Sequence, residues 1–116
     1  MSCRLEPEEL EKIISLLESY RDKMAKATYE EALYLLEDKE KAVEAVERLE
    51  KEIDSLVEKL RRGECPSVIE RIHIRNVAYS LCTPEQRELV KSVFSKLKMR
   101  WTRQDRELAC RMRVVL

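Results

Sequence analysis

Apolar residues return along this chain at spacings of three and four for almost its whole length. Leu10, Ile13, Ile14, Leu17, Tyr20 and Met24 define one helical face. From Ala32 the pattern becomes a heptad: Ala32, Leu35, Lys39, Ala42, Val46, Leu49, Ile53, Leu56 and Leu60, with Lys39 the one polar interruption. Such a run predicts a coiled-coil-like seam. On a helical wheel the two sets share about the same 120° arc, so one unbroken helix over residues 6–62 is allowed. The segment TYEE at 28–31 argues for a break, because Thr28 and Glu31 have the spacing of a capping box. Both readings stay open.

The single glycine follows. Arg61 and Arg62 suit the negative end of a helix, Gly63 suits a left-handed stop, and Pro66 opposes simple continuation. Residues 67–81 predict a helix, although Ile72-His73-Ile74-Arg75 also alternates as a strand would. Thr83, Pro84 and Gln86 form a start signal. Val90, Phe94, Leu97, Trp101, Leu108, Met112 and Val115 then hold one phase. That phase predicts a continuous helix from 84 to about 114, with Thr102 and Asp105 as the alternative restart. The expected fold is all-α: a long antiparallel helical hairpin or four-helix-type bundle in a single domain spanning 1–116. An acidic arm (6–62) folds back at 63–66 on a basic arm (67–115).

Composition agrees with long helices. Of 116 residues, 40% are charged and 44% hydrophobic, with one Gly and three Pro. The scarcity of Asn and Gln beside abundant ionic residues is thermophile-like. Net charge is zero but polarised: residues 1–60 hold 17 acids against 10 bases, and residues 61–116 hold 6 acids against 13 bases. A uniformly basic nucleic-acid binder is thereby excluded, while a molecule with one basic side is not. The N-terminus lacks a signal-peptide core, and the longest apolar run, ALYLL at 32–36, is too short to span a bilayer. The expectation is a cytoplasmic protein with no membrane association. Cys3, Cys65, Cys82 and Cys110 include no close pair, so no metal site is expected, and four free thiols are. A disulfide such as Cys65–Cys82 requires two helix ends to meet.

Enzymatic chemistry finds little footing. One glycine forbids a glycine-rich phosphate loop, and His73, the single histidine, lies between two isoleucines as a structural residue would. No catalytic residue and no cofactor is expected. The candidate site is the basic C-terminal arm. Lys96, Arg100, Arg103 and Arg111 fall along one side of the apolar stripe, and Lys91, Lys98, Arg106 and Arg113 along the other. Such flanks suit phosphates, an acidic partner or the chain's own acidic arm. Trp101 suits base stacking, but its phase with Phe94 and Leu108 favours packing. Tyr29, Leu33, Tyr34 and Leu36 lie off the main stripe and form a candidate interaction surface.

The stretch VIERIHIRNVAYSLCTPEQRELVKSVFSKL resembles the end of the α-helical domain of GINS proteins. The matching positions are Ile69, Ile72, Ile74, Arg75, Val77, Ala78, Thr83, Pro84, Glu85 and Leu89. The likeness covers about a quarter of the chain. That family's small β-domain has no counterpart here, and KATYEEALYLL only echoes its N-terminal segment. The resemblance implies a non-catalytic subunit bridging components of a replicative helicase. The expected function is a non-enzymatic helical adaptor or assembly subunit of a nucleic-acid-handling complex, partnered by itself, by another protein, or both. The alternative is a stand-alone dimer gripping DNA or RNA backbone through its basic C-terminal helix.

Overall fold

The computed structural model describes residues 2–112 and is all-α. Helix α1 (Pro7–Leu36) starts with Pro7 at its first position and acids in its first turn, where the helix dipole favours them. It runs straight through Thr28, so TYEE caps nothing. It ends at Glu37, a left-handed residue (φ 53°) whose N–H donates to the Leu33 carbonyl at 3.0 Å. Asp38 then starts α2 (Lys39–Arg62), its carboxylate accepting from the N–H groups of Glu40 and Lys41 at 2.9 and 3.3 Å. Two residues therefore reverse the chain, and α1 and α2 pack closely as an antiparallel helical hairpin. A reversal thus falls within the segment read as one acidic arm, and the one expected at 63–66 follows it: Lys59 bonds Glu70 and Glu52 lies against His73, both at 2.9 Å, the pairing of antiparallel segments.

Gly63 does stop α2, in the left-handed conformation (φ 74°). Its N–H donates to Leu60 and that of Glu64 to Lys59, the paired bonds of a Schellman motif. Three shorter helices follow: α3 (Val68–Tyr79), α4 (Pro84–Lys96) and α5 (Arg103–Leu108). Reciprocal capping boxes open all three, at Ser67/Glu70, Thr83/Gln86 and Thr102/Asp105. The helix expected over 84–114 is divided by a second Schellman motif. There Lys98 takes φ 58° and Met99 N–H donates to Phe94.

These three helices cover only one end of the hairpin. Ile13, Ile14, Leu17 and Tyr20 of α1 and Ile53, Leu56 and Leu60 of α2 share a core with Ile74, Val77, Val90, Val93, Phe94 and Leu97. The other half of the hairpin, toward residues 37–38, projects past this core, and the molecule measures 42 × 30 × 22 Å.

The expectation of four free thiols is overturned. Cys3 bonds Cys65 and Cys82 bonds Cys110, with Cα–Cα distances of 4.9 and 5.5 Å. The first bond ties the N-terminal segment beside the α2–α3 turn, where Cys3 N–H also donates to the Gly63 carbonyl at 2.8 Å. The second ties Cys110, two residues past α5, to the α3–α4 turn, next to a 2.8 Å bond from Cys110 N–H to the Tyr79 carbonyl. Cys65 does sit near a helix end, but its partner comes from the N-terminus rather than from Cys82.

Candidate interaction surfaces

The basic residues divide by location. Lys96 ends α4 facing α1, and its ammonium is bonded to Glu9, which Ser92 also contacts. Burial pushes the Glu9 carboxyl up, but these bonds and the Glu6 N–H outweigh it and hold the group below its ordinary value. Lys96 is a packing residue. Lys98 and Arg100 lie exposed on the α4–α5 connector, which α3 holds in place. Arg71 Nη1 donates to the Lys98 carbonyl at 3.2 Å, and Arg75 Nη2 to the Arg100 carbonyl at 2.9 Å. Arg103 and Arg106 are exposed on α5, with Arg103 3.5 Å from Glu107. Arg111 is exposed beyond it, and Arg113 lies outside the described residues. The connector and α5 thus bring Lys98, Arg100, Arg103, Arg106 and Arg111 to the covered end of the molecule, while Lys96 turns inward. Lys91 is exposed on α4.

Arg87, which sequence reasoning passed over, and Arg75 organise this end. Arg87 stacks over Trp101, 4.5 Å from its ring centroid, and donates to the carbonyls of Ala78 and Leu81 at 3.2 and 2.9 Å. It so satisfies the open C-terminus of α3. Trp101 packs edge-on against Phe94 and Tyr79, and beside it Arg87, Val90, Lys91, Phe94 and Met99 line an open cavity of about 440 Å³. Arg75 sits 3.3 Å from Asp105 and over the Phe94 ring. Asp105 is only 1% exposed. It accepts from the Tyr79 hydroxyl and from Thr102 N–H. Burial, followed by the hydrogen bond to Asp105, pushes Tyr79 up to about 12. Burial raises Asp105 as well, but Tyr79, Thr102 and Arg75 together hold it below its ordinary value.

His73 is equally committed. Its Nδ1 lies 2.9 Å from the Tyr20 hydroxyl and its Nε2 2.9 Å from Glu52, so one imidazole joins α1, α2 and α3. Asn76 adds a 3.2 Å bond to the same hydroxyl. Among the described residues, no three His, Cys, Asp or Glu side chains are placed to hold a metal ion. No described helix is long and apolar enough to cross a membrane.

Among the described residues, large apolar side chains are exposed in two places. At the hairpin tip, Tyr34 is 82% exposed and Leu35 66%, with Leu36 and Val43 beside them. Tyr29 and Leu33, from the same predicted surface, are half-buried. On α3, Val68 is 79% exposed, followed by Ile69 and Ile72. Pattern alone points Leu35 inward as a seam residue, because its phase continues the buried row of Leu17 and Tyr20. The row outlasts the layer that covers it.

No family model, curated protein or solved structure matches the chain. The functional reading rests on its own surfaces.

Proposed function

We propose that this protein is a non-enzymatic assembly subunit, which associates with a second copy through its bare hairpin tip and turns its basic end toward an anionic partner. The observation that carries the reading is the exposure of Tyr34, Leu35, Leu36 and Val43 together at the end of a projecting arm. Clustered exposed apolar groups of this kind are characteristic of interaction sites. Sedimentation equilibrium over a wide concentration range tests it. The wild type self-associates, and Tyr34→Ser with Leu35→Ser abolishes association while circular dichroism keeps its helical signal. A wild type that stays monomeric throughout overturns the reading.

The resemblance of α3 and α4 to GINS helices supports placing such a subunit in a nucleic-acid-handling complex. A second reading, direct binding to DNA or RNA backbone, is favoured by Lys98, Arg100, Arg106 and Arg111, which are exposed and make no ion pair among the described residues. It predicts a mobility shift that weakens steeply with salt and is lost on charge reversal of Arg100, Arg103 and Arg106. A shift that survives that reversal rules out this surface. Two disulfides within a charge-rich, asparagine-poor chain are the combination seen inside hyperthermophile cells, and a cytoplasmic setting is proposed on that ground.

A further inference from the structure

We infer that the occupant of the bare hairpin tip is the outer face of α3 in a second copy, each copy clasping the other in an antiparallel, two-fold dimer. The inference rests on the assembly reading above and names the receiving surface.

Helix α1 carries one row of positions from end to end, apolar at both ends and interrupted by Thr28 and Glu31. Over Ile13, Leu17 and Tyr20 the row is covered by the chain's own α3 and α4, with Tyr20 bonded to His73 and Asn76 of α3. Spaced by three and four, the row continues through Met24, Thr28 and Glu31 to Leu35, and there its end is exposed. The hairpin is therefore a step: two layers thick at its base and one layer thick at its tip. Met24 still packs against the core, and beyond it residues 25–36 extend about 18 Å, the same as the 12 residues of α3, so the open shelf accommodates one such helix. Inverting a second copy about a two-fold axis lays its base layer on this shelf and the first copy's base layer on the partner shelf. A two-fold contact of this type closes on itself and builds no filament.

Chemistry matches on both sides. The outward face of α3 offers Val68, Ile69 and Ile72, and the tip offers Tyr34, Leu35, Leu36 and Val43. Arg71, Lys98 and Arg100 flank the α3 face on the connector side, an arrangement fixed by the 3.2 Å bond from Arg71 to the Lys98 carbonyl. Glu30, Glu31, Glu37, Asp38 and Glu40 surround the tip. Residues 26–47 carry 7 acids against 3 bases, whereas residues 61–112 carry 6 acids against 12 bases. Tip against tip would face like charges, which tip against α3 avoids.

Sedimentation equilibrium of the full chain, without nucleic acid, decides the matter with three variants. Leu35→Asp spoils the tip. Ile72→Asp spoils the α3 face, as does Val68→Asp, which places an acid at the first helical position where it favours folding. Each is expected to weaken the dimer about tenfold or more. Mixing the tip variant with an α3 variant restores one intact contact, so the mixture associates where neither does alone. Raising salt weakens the wild-type dimer, because the charges at its rim are screened. A wild-type dimer unaffected by both α3 substitutions overturns the clasp while leaving self-association through the tip in place. A mixture that stays monomeric also overturns it. A monomeric wild type removes both proposals.

Discussion

Tyr79 and Asp105 form the most consequential residue pair, since they hold a six-residue helix that buries no other side chain. Asp105 has a depressed folded pKa, so its stabilisation is complete above the ordinary value of 3.8 and is lost as pH falls through the lowered one. Glu9 and Glu70 are lowered in the same way. Acid unfolding followed by circular dichroism should therefore begin below the ordinary carboxylate range, and earlier for Asp105→Asn. Tyr79 behaves oppositely. Its pKa is raised from 10.0 to about 12, so its contribution is complete below pH 10 and disappears as pH rises through 12. Burial raises Tyr20 as well, so ultraviolet titration should show late tyrosine ionisation that Tyr79→Phe reduces in amplitude. Three other residues govern where helices stop: Glu37, Gly63 and Lys98, all left-handed. Gly63→Ala should cost roughly 1–2 kcal/mol in a denaturant titration. A Cβ there would also lie 2.7 Å from the Arg4 Cγ. Glu37→Gly should stabilise by up to about 1 kcal/mol, net of the freedom glycine gains in the unfolded chain.

At the scale of elements, the same three stops explain what could be read in advance. The end of α2 was legible because glycine occupies its left-handed position. Those of α1 and α4 use glutamate and lysine, which leave no mark in a chain already crowded with both. Periodicity was no help at residue 37, since the row of α1 and the seam of α2 share a phase across the reversal. Asp38 was the available signal, and removing it should show its weight. Asp38→Ala leaves two amide groups without their cap and should lower the thermal midpoint by the equivalent of about 1 kcal/mol. Thr83 with Gln86 was legible and is used as read. Thr28 with Glu31 has equal spacing but falls inside a helix stabilised by packing on both sides of it. For the candidate site, exposure of Tyr34 and Leu36 followed from their position off the stripe. The inward turn of Lys96 did not, because Glu9 lies 87 residues away in sequence.

For the whole molecule, the two disulfides dominate. They close loops with sequence separations of 62 and 28 residues. Loop-closure entropy gives these about 4 and about 3.5 kcal/mol of stabilisation. Because the loops do not overlap, the two contributions should add. Guanidinium titrations of Cys3→Ser, Cys82→Ser and the double variant check this. Equal midpoints with and without reductant would mean that the bonds contribute nothing. Pairing could not be read from cysteine spacing, since it depends on where the N-terminal segment and the segment following α5 come to rest.

The layout of these bonds has a practical consequence. Cys3 to Cys65 encloses α1 and α2, Cys82 to Cys110 encloses α4 and α5, and α3 belongs to neither. Topologically the oxidised polypeptide is two rings on a single tether. One protease nick inside either ring leaves its mass intact on a non-reducing gel. One nick in the tether, at Arg71 or Arg75, releases two separate pieces, the first predominantly acidic and the second predominantly basic.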